Sequence, residues 1–134
     1  MAISLQLYLS TIVQNTYSLV IFPMVMSELI EALNLGATLT NNGDYSAAIR
    51  TYLDALIMDE NNATAWFCLG VLYSKTGSLK EAVEAFEKCD EIFPDHPPTL
   101  ANLAYLLVES EPERSSDFAK RALPHLEQDE KLDN

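Results

Sequence analysis

The chain has 134 residues, of which 49% are hydrophobic and 21% charged. That is enough for one domain, too little for two ordinary ones, and too apolar for wholesale disorder. Twenty acidic residues face eight basic ones for a formal charge of −12, a balance that repels phosphate backbones and excludes nucleic acid as an expected partner.

Residues 1–27 carry no charged side chain. From Ile3 to Met26 the segment is mostly apolar and includes the run Tyr17-Ser18-Leu19-Val20-Ile21-Phe22-Pro23-Met24-Val25-Met26, so a membrane span comes into question. Gln6, Ser10, Thr11, Gln14, Asn15 and Thr16 interrupt it, Pro23 is expected to kink it, and no Lys or Arg flanks it. The absence of a basic start and of a clean small-residue cleavage site speaks against a signal peptide. Three readings of residues 1–26 stand: a helix covering the groove or the first repeat, a membrane anchor, or an over-extended start. In the third, Ser27 caps the first repeat helix and Glu28 faces its dipole.

Beyond Glu28 the chain repeats itself with a period of 34 residues. Leu35 falls on Leu69 and Leu103, and Gly36 on Gly70 and Ala104. Gly43 falls on Gly77, Tyr45 on Leu79, Ala48 on Ala82, Tyr52 on Phe86 and Ala55 on Cys89. Large and small residues keep their places, as expected when two antiparallel helices per copy approach closely at the small positions. Gly43-Asp44 and Gly77-Ser78 each set a helix-ending glycine before a helix-capping side chain. Ser78-Leu79-Lys80-Glu81 reads as a capping box, and Asn62 as a cap rather than a glycosylation site. Pro94, Pro97 and Pro98 punctuate the boundary between copies.

The expected helices are residues 27–41, 44–58, 63–75, 79–92, 97–109 and 112–123, in copies 29–62, 63–96 and 97–127. In the third copy Glu111-Pro112-Glu113-Arg114 replaces the glycine turn, and the second helix slips by about one position. Ser115, Ala119 and Ala122 then stand where Ala, an aromatic and Ala are expected. Residues 127–134 form an acidic tail, expected to fray into solvent.

The middle copy reads Trp66-Phe67-Cys68-Leu69-Gly70-Val71-Leu72-Tyr73, followed by Ala82, Phe86 and Pro94. This resembles the tetratricopeptide repeat signature W-x2-L-G-x2-Y, A-x3-F and P. The resemblance implies an all-α fold: a right-handed solenoid of about three helix pairs over residues 27–126, and the apolar residues 1–26 are expected to add an extra helix before it. It also implies that positions 2, 5, 9 and 12 of each copy line a concave groove. Those are Ile30, Leu33, Ala37 and Thr40; Thr64, Phe67, Val71 and Ser74; Pro98, Ala101, Tyr105 and Val108. The groove is apolar and nearly uncharged. It lacks the Lys, Arg and Asn set with which some members of the family seize a chaperone's terminal carboxylate, and Lys75 is its one nearby cation.

No catalytic or metal-binding pattern emerges. His96 and His125 lie far apart and read as exposed turn residues, and the glycines form no phosphate loop. Cys68 and Cys89 match no CxxC spacing and read as small buried hydrophobes in a reducing, cytoplasmic setting. The expectation is a non-catalytic protein-interaction module without cofactor or metal. It takes an apolar or amphipathic segment of a protein or peptide through Leu33, Ala37, Phe67, Val71, Ala101, Asn102 and Tyr105. A row of apolar residues at helical spacing is also what a core looks like, so exposure must decide for Leu33 and Phe67. The alternatives are a membrane-anchored assembly factor or scaffold held through residues 3–26, and a self-associating repeat protein, a homo-oligomer.

Overall fold

A side chain on Gly70 would have nowhere to go: a Cβ built there comes within 2.7 Å of the Phe86 ring, and one on Gly36 within 2.7 Å of the Tyr52 ring. The computed structural model describes residues 2–132, with side chains from Ser4 to Pro124 apart from Tyr17. It is built of helices α1 (Ala2–Thr16), α2 (Phe22–Asn41), α3 (Tyr45–Met58), α4 (Ala63–Thr76), α5 (Leu79–Ile92), α6 (Pro97–Leu107) and α7 (Pro112–Leu132), with a π-helical turn, Tyr17–Ile21, joining α1 to α2. No strand occurs among the described residues. Helices α2 and α3, α4 and α5, and α6 and α7 pack as pairs, and each pair stacks on the next through α3 with α4 and α5 with α6.

The two glycines explain the pairing. Each lets an aromatic ring from the second helix lie directly on the backbone of the first, and both rings are buried, Tyr52 at 3% and Phe86 at 0% exposure. Around Tyr52 gather Leu29, Ala48, Ala55, Leu56, Ala65, Leu69 and Leu72; around Phe86 gather Ala82 and Leu103, with Phe67, Val71 and Phe118 against them. Burial raises the Tyr52 phenol well above its ordinary range, with Cys68 beside it adding to the shift.

Both glycine turns close in the same way. Gly43 and Gly77 adopt left-handed φ values of 82° and 81°. Their N–H groups donate to Thr40 O and Ser74 O, and those of Asp44 and Ser78 donate to Leu39 O and Tyr73 O. These are paired Schellman closures. They also correct the expected capping box, because the Ser78 N–H that Glu81 was to satisfy is already bound to Tyr73 O, and Ser78 makes no side-chain cap bond. Asp44 makes none either. Asn62 does cap its helix, its Oδ1 accepting from the Ala65 N–H at 2.9 Å.

The third pair meets without a glycine, and Phe118 of α7 packs against the core of Ala82, Phe86 and Leu103. Buried Ser115 donates its hydroxyl to Ala104 O at 2.7 Å, tying α7 to α6. Arg121 adds a fork to both Asp90 oxygens at 2.8 Å, and its Nε and Nη2 also reach Asp95. Asp95 sits in the turn after α5 with a left-handed φ of 61°. The exposed Arg114 pairs with Glu87 of α5 and, locally, with Glu111 just before its own helix.

Both ends depart from expectation. Helix α2 does not begin at a Ser27 cap; the chain is helical without a break from Ala2 through Asn41, and Ser27 lies inside it. Nor does α1 cover the groove or the first pair: it packs mainly on the π turn, and every residue with a described side chain from Ser4 to Glu28 is exposed. At the other end α7 passes Pro124 and continues to Leu132, so the acidic tail is helical up to that residue rather than frayed. Its Glu, Gln, Lys and Leu residues are good helix formers and outweigh the single missing bond at the proline. Asp133 and Asn134 lie outside the described residues.

The caps give a differential test. Asn62→Ala should lower urea stability by about 1 kcal/mol, whereas Ser78→Ala should change it by less than about 0.5 kcal/mol, because no bond is lost. Equal losses would mean that Ser78 caps α5 after all.

Candidate functional site

The first helices of the three pairs present the groove residues, and the structure divides them into two kinds. Tyr105 is 79% exposed, and Ile30, Ala37, Ala101 and Val108 are exposed as well. Leu33, Phe67, Val71 and Asn102 are half-buried. Leu33 packs on the core around Tyr52, and Phe67 and Val71 on the core around Phe86. Each of these three therefore packs one side on the core and leaves the other partly exposed.

Two depressions gather part of this set. The first, about 440 Å³, lies between α4 and α6 and is lined by Ser74, Leu79, Asn102, Tyr105, Leu106, Val108 and Glu109. The second, about 430 Å³, lies at the turn between α5 and α6 and is lined by Ala63, Thr64, Phe67, Cys89, Phe93 and His96. Asn102 and Tyr105 thus share one depression and Phe67 belongs to the other, while Leu33, Ala37, Val71 and Ala101 line neither.

The polar atoms of the first depression are largely committed. The Ser74 hydroxyl donates to Gly70 O at 2.8 Å, and the Asn102 amide donates to Pro98 O at 2.7 Å, each within its own helix. Lys75 places its ammonium 5.9 Å from the Tyr45 ring centroid, a cation–π contact. Glu109 brings a carboxylate to the wall, a charge that the sequence reading of the groove did not include. With donors turned inward and a carboxylate present, this depression favours apolar or cationic groups over anions.

The second depression corrects the reading of His96 as a free turn residue. His96 is half-buried, shares a 2.7 Å hydrogen bond between Nδ1 and Thr99 Oγ1, and meets the Phe67 ring edge-on at 5.3 Å. Phe93 lies 5.7 Å from it and is 57% exposed. The fully buried Thr99 also contacts Cys89 Sγ at 3.4 Å. Burial raises the Cys89 thiol above its ordinary value, partly opposed by that contact, which keeps the sulfur neutral and unreactive. The apolar Phe93 beside a Pro-flanked His96 was the signal for this pocket, and it was absorbed into the punctuation between copies. The side chain of His125 lies outside the described residues. No group of three or more His, Cys, Asp or Glu able to hold a metal occurs among the described residues.

Comparison with known proteins agrees with this geometry. The TPR repeat family matches residues 36–77, and the tetratricopeptide repeat family matches residues 63–96. The Arabidopsis thaliana protein CTR9 homolog is 31% identical over 94 residues, which cover 66% of this chain and 9% of that protein. The photosystem I assembly protein Ycf3 of Synechococcus sp. (strain CC9605) is 30% identical over 74 residues, covering 53% of this chain and 43% of that protein. The chain therefore spans less than half the length of either relative. Among solved structures, MamA superposes with a TM-score of 0.70 at 23% identity, over 77% of this chain and 61% of its own. The second TPR of Spaghetti (RPAP3), bound to an HSP90 peptide, superposes with a TM-score of 0.68 at 15% identity, over 75% of this chain and 96% of its own. At such identities these two structures speak for the fold alone.

The division of the groove residues is testable. Tyr105→Glu should shift stability by no more than about 0.5 kcal/mol, as expected for an exposed site. Phe67→Ala should cost about 2 kcal/mol, because half of its ring supports Phe86. Thermal or urea unfolding of the two variants checks this, and a large loss from Tyr105→Glu would place that ring in the core.

Proposed function

The chain belongs to the tetratricopeptide-repeat family, a scaffold for protein–protein interaction, and from that premise we propose that it is a non-catalytic module holding an apolar or amphipathic segment of a protein partner along its groove. The observation that carries this reading is the exposure of Tyr105 and Ile30 on the first helices of the pairs and of Val108 just after α6, at 79%, 53% and 55%. Such residues stay exposed in water at a cost that a partner's apolar side chains would remove.

The inward-turned donors of Ser74 and Asn102 support an apolar ligand over a carboxylate-ended one. The Phe67, Phe93 and His96 pocket accepts one aromatic or branched aliphatic anchor, and the depression under Tyr105 a second with basic character, since Glu109 stands beside it. The absence of catalysis is part of the same proposal: Cys89 is buried, and the one described histidine is tied to Thr99 and to aromatic rings. Among the similar proteins is one named an assembly protein, which is consistent with a scaffold that holds another chain.

The test is a random-peptide display selection against the full chain in mild detergent, with Ala101→Glu, Tyr105→Glu as the control bait. Both positions are exposed, so the control remains folded. Selected peptides should be rich in aromatic and branched apolar residues and should bind the control at least about tenfold more weakly, a loss of about 1.4 kcal/mol. Peptides dominated by acidic C-termini, or binding that the double variant leaves unchanged, would contradict the proposed groove.

A further inference from the structure

The helix that opens the first pair does not stop at the repeats. It runs back without a break from Asn41 to Ala2, and the stretch Ser4–Asn41 is long and apolar enough to cross a membrane. We propose that residues 2–27 span a lipid bilayer and that the same helix, emerging at Glu28, becomes the first helix of the repeat stack. This inference stands apart from the groove reading and uses none of its residues.

Four observations carry it. Exposure comes first: Leu5, Leu7, Tyr8, Leu9 and Val13 are each between 52% and 66% exposed, and Leu19 is 69% exposed. The repeats cover none of this surface, which excludes the core helix of a soluble domain. Second is the distribution around the axis. Leu19 to Met26 are eight consecutive apolar residues, including Pro23, and so occupy every face of the helix. A second copy or a partner helix covers one stripe; acyl chains cover all sides at once.

Third is length. At 1.5 Å per residue, residues 2–27 reach roughly 39 Å, which exceeds the ~30 Å hydrocarbon core and leaves room for tilt. Fourth is the treatment of polar groups. Not one side chain in this stretch is charged. The Thr11 and Thr16 hydroxyls donate to Leu7 O and Ile12 O of their own helix, each at 2.8 Å, so they enter hydrocarbon already paired. Pro23 is the second residue after the π turn, a local adjustment of the kind that accommodates proline in spanning helices.

The charge pattern favours crossing over lying on the surface. Interfacial helices bind headgroups through Lys and Arg, and the first basic residue here is Arg50. The acidic repeats are repelled by anionic headgroups and stay in the aqueous phase on one side.

The experiment uses the full chain with vesicles of zwitterionic phosphatidylcholine. The protein should float with the vesicles and remain bound in 1 M salt and in alkaline carbonate. Val13→Trp should report the depth: its fluorescence should be quenched by lipids brominated deep in the acyl chains, while Trp66 in the repeats stays unquenched. Leu9→Glu with Val20→Glu alters two exposed positions and should abolish flotation while leaving the unfolding transition of the repeats in place. A full chain that stays in detergent-free buffer as a monomer or as an assembly of copies would overturn the proposal. So would Val13→Trp quenching confined to headgroup-labelled lipid.

Discussion

The fold depends on how closely two helix backbones can approach. At Gly36 and at Gly70 the space that a Cβ would occupy is taken by an aromatic ring from the partner helix, Tyr52 or Phe86. The ring fills the wedge between the helices and sets their separation. The Schellman closures at Gly43 and Gly77 then set the direction in which the second helix leaves. Two positions of each kind, 34 residues apart, are enough to build two matching pairs, and their open faces bury one another when stacked. The third pair is joined by different means: the Ser115 hydroxyl donates to Ala104 O, and Phe118 packs on the core around Phe86 and Leu103.

Much of this was legible because it follows from size and period. Helices α3 to α6 lie within two residues of the ranges that the repeat predicts. What was not legible depended on competition between groups or on missing neighbours. Ser78 has the sequence of a capping box, but its N–H is captured by Tyr73 O once Gly77 takes its left-handed turn, so the local rule loses to the neighbouring one. Leu35 occupies the same place in the period as Leu69 and Leu103, yet it is 52% exposed while they are fully buried. Among the described residues α1 does not fold over it. Periodicity identifies equivalent positions; it does not identify which of them lack a neighbour.

The groove shows the same limit. Spacing places Leu33, Phe67 and Val71 on the inner face, but only coordinates show that each is shared between core and surface. His96 reads as punctuation, and becomes a pocket wall because Thr99 and Phe67 hold its ring. The arrangement nevertheless joins the two functional inferences. Helix α2 carries Leu33 and Ala37 at one end and continues as the exposed apolar helix at the other. With no loop between them, the groove would be held at a fixed attitude to the bilayer rather than swinging on a tether.

The most direct measurement of the central constraint is a double-mutant cycle between Gly70→Ala and Phe86→Leu, followed by urea unfolding. If the ring against the backbone sets the helix separation, Gly70→Ala should cost about 1–2 kcal/mol in the native background, where overpacking exceeds the gain in helix propensity. On the Phe86→Leu background the same change should be neutral or stabilising by up to about 1 kcal/mol, since the obstructing ring is gone. An equal cost for Gly70→Ala in both backgrounds would show that the glycine is needed for something other than the approach of Phe86.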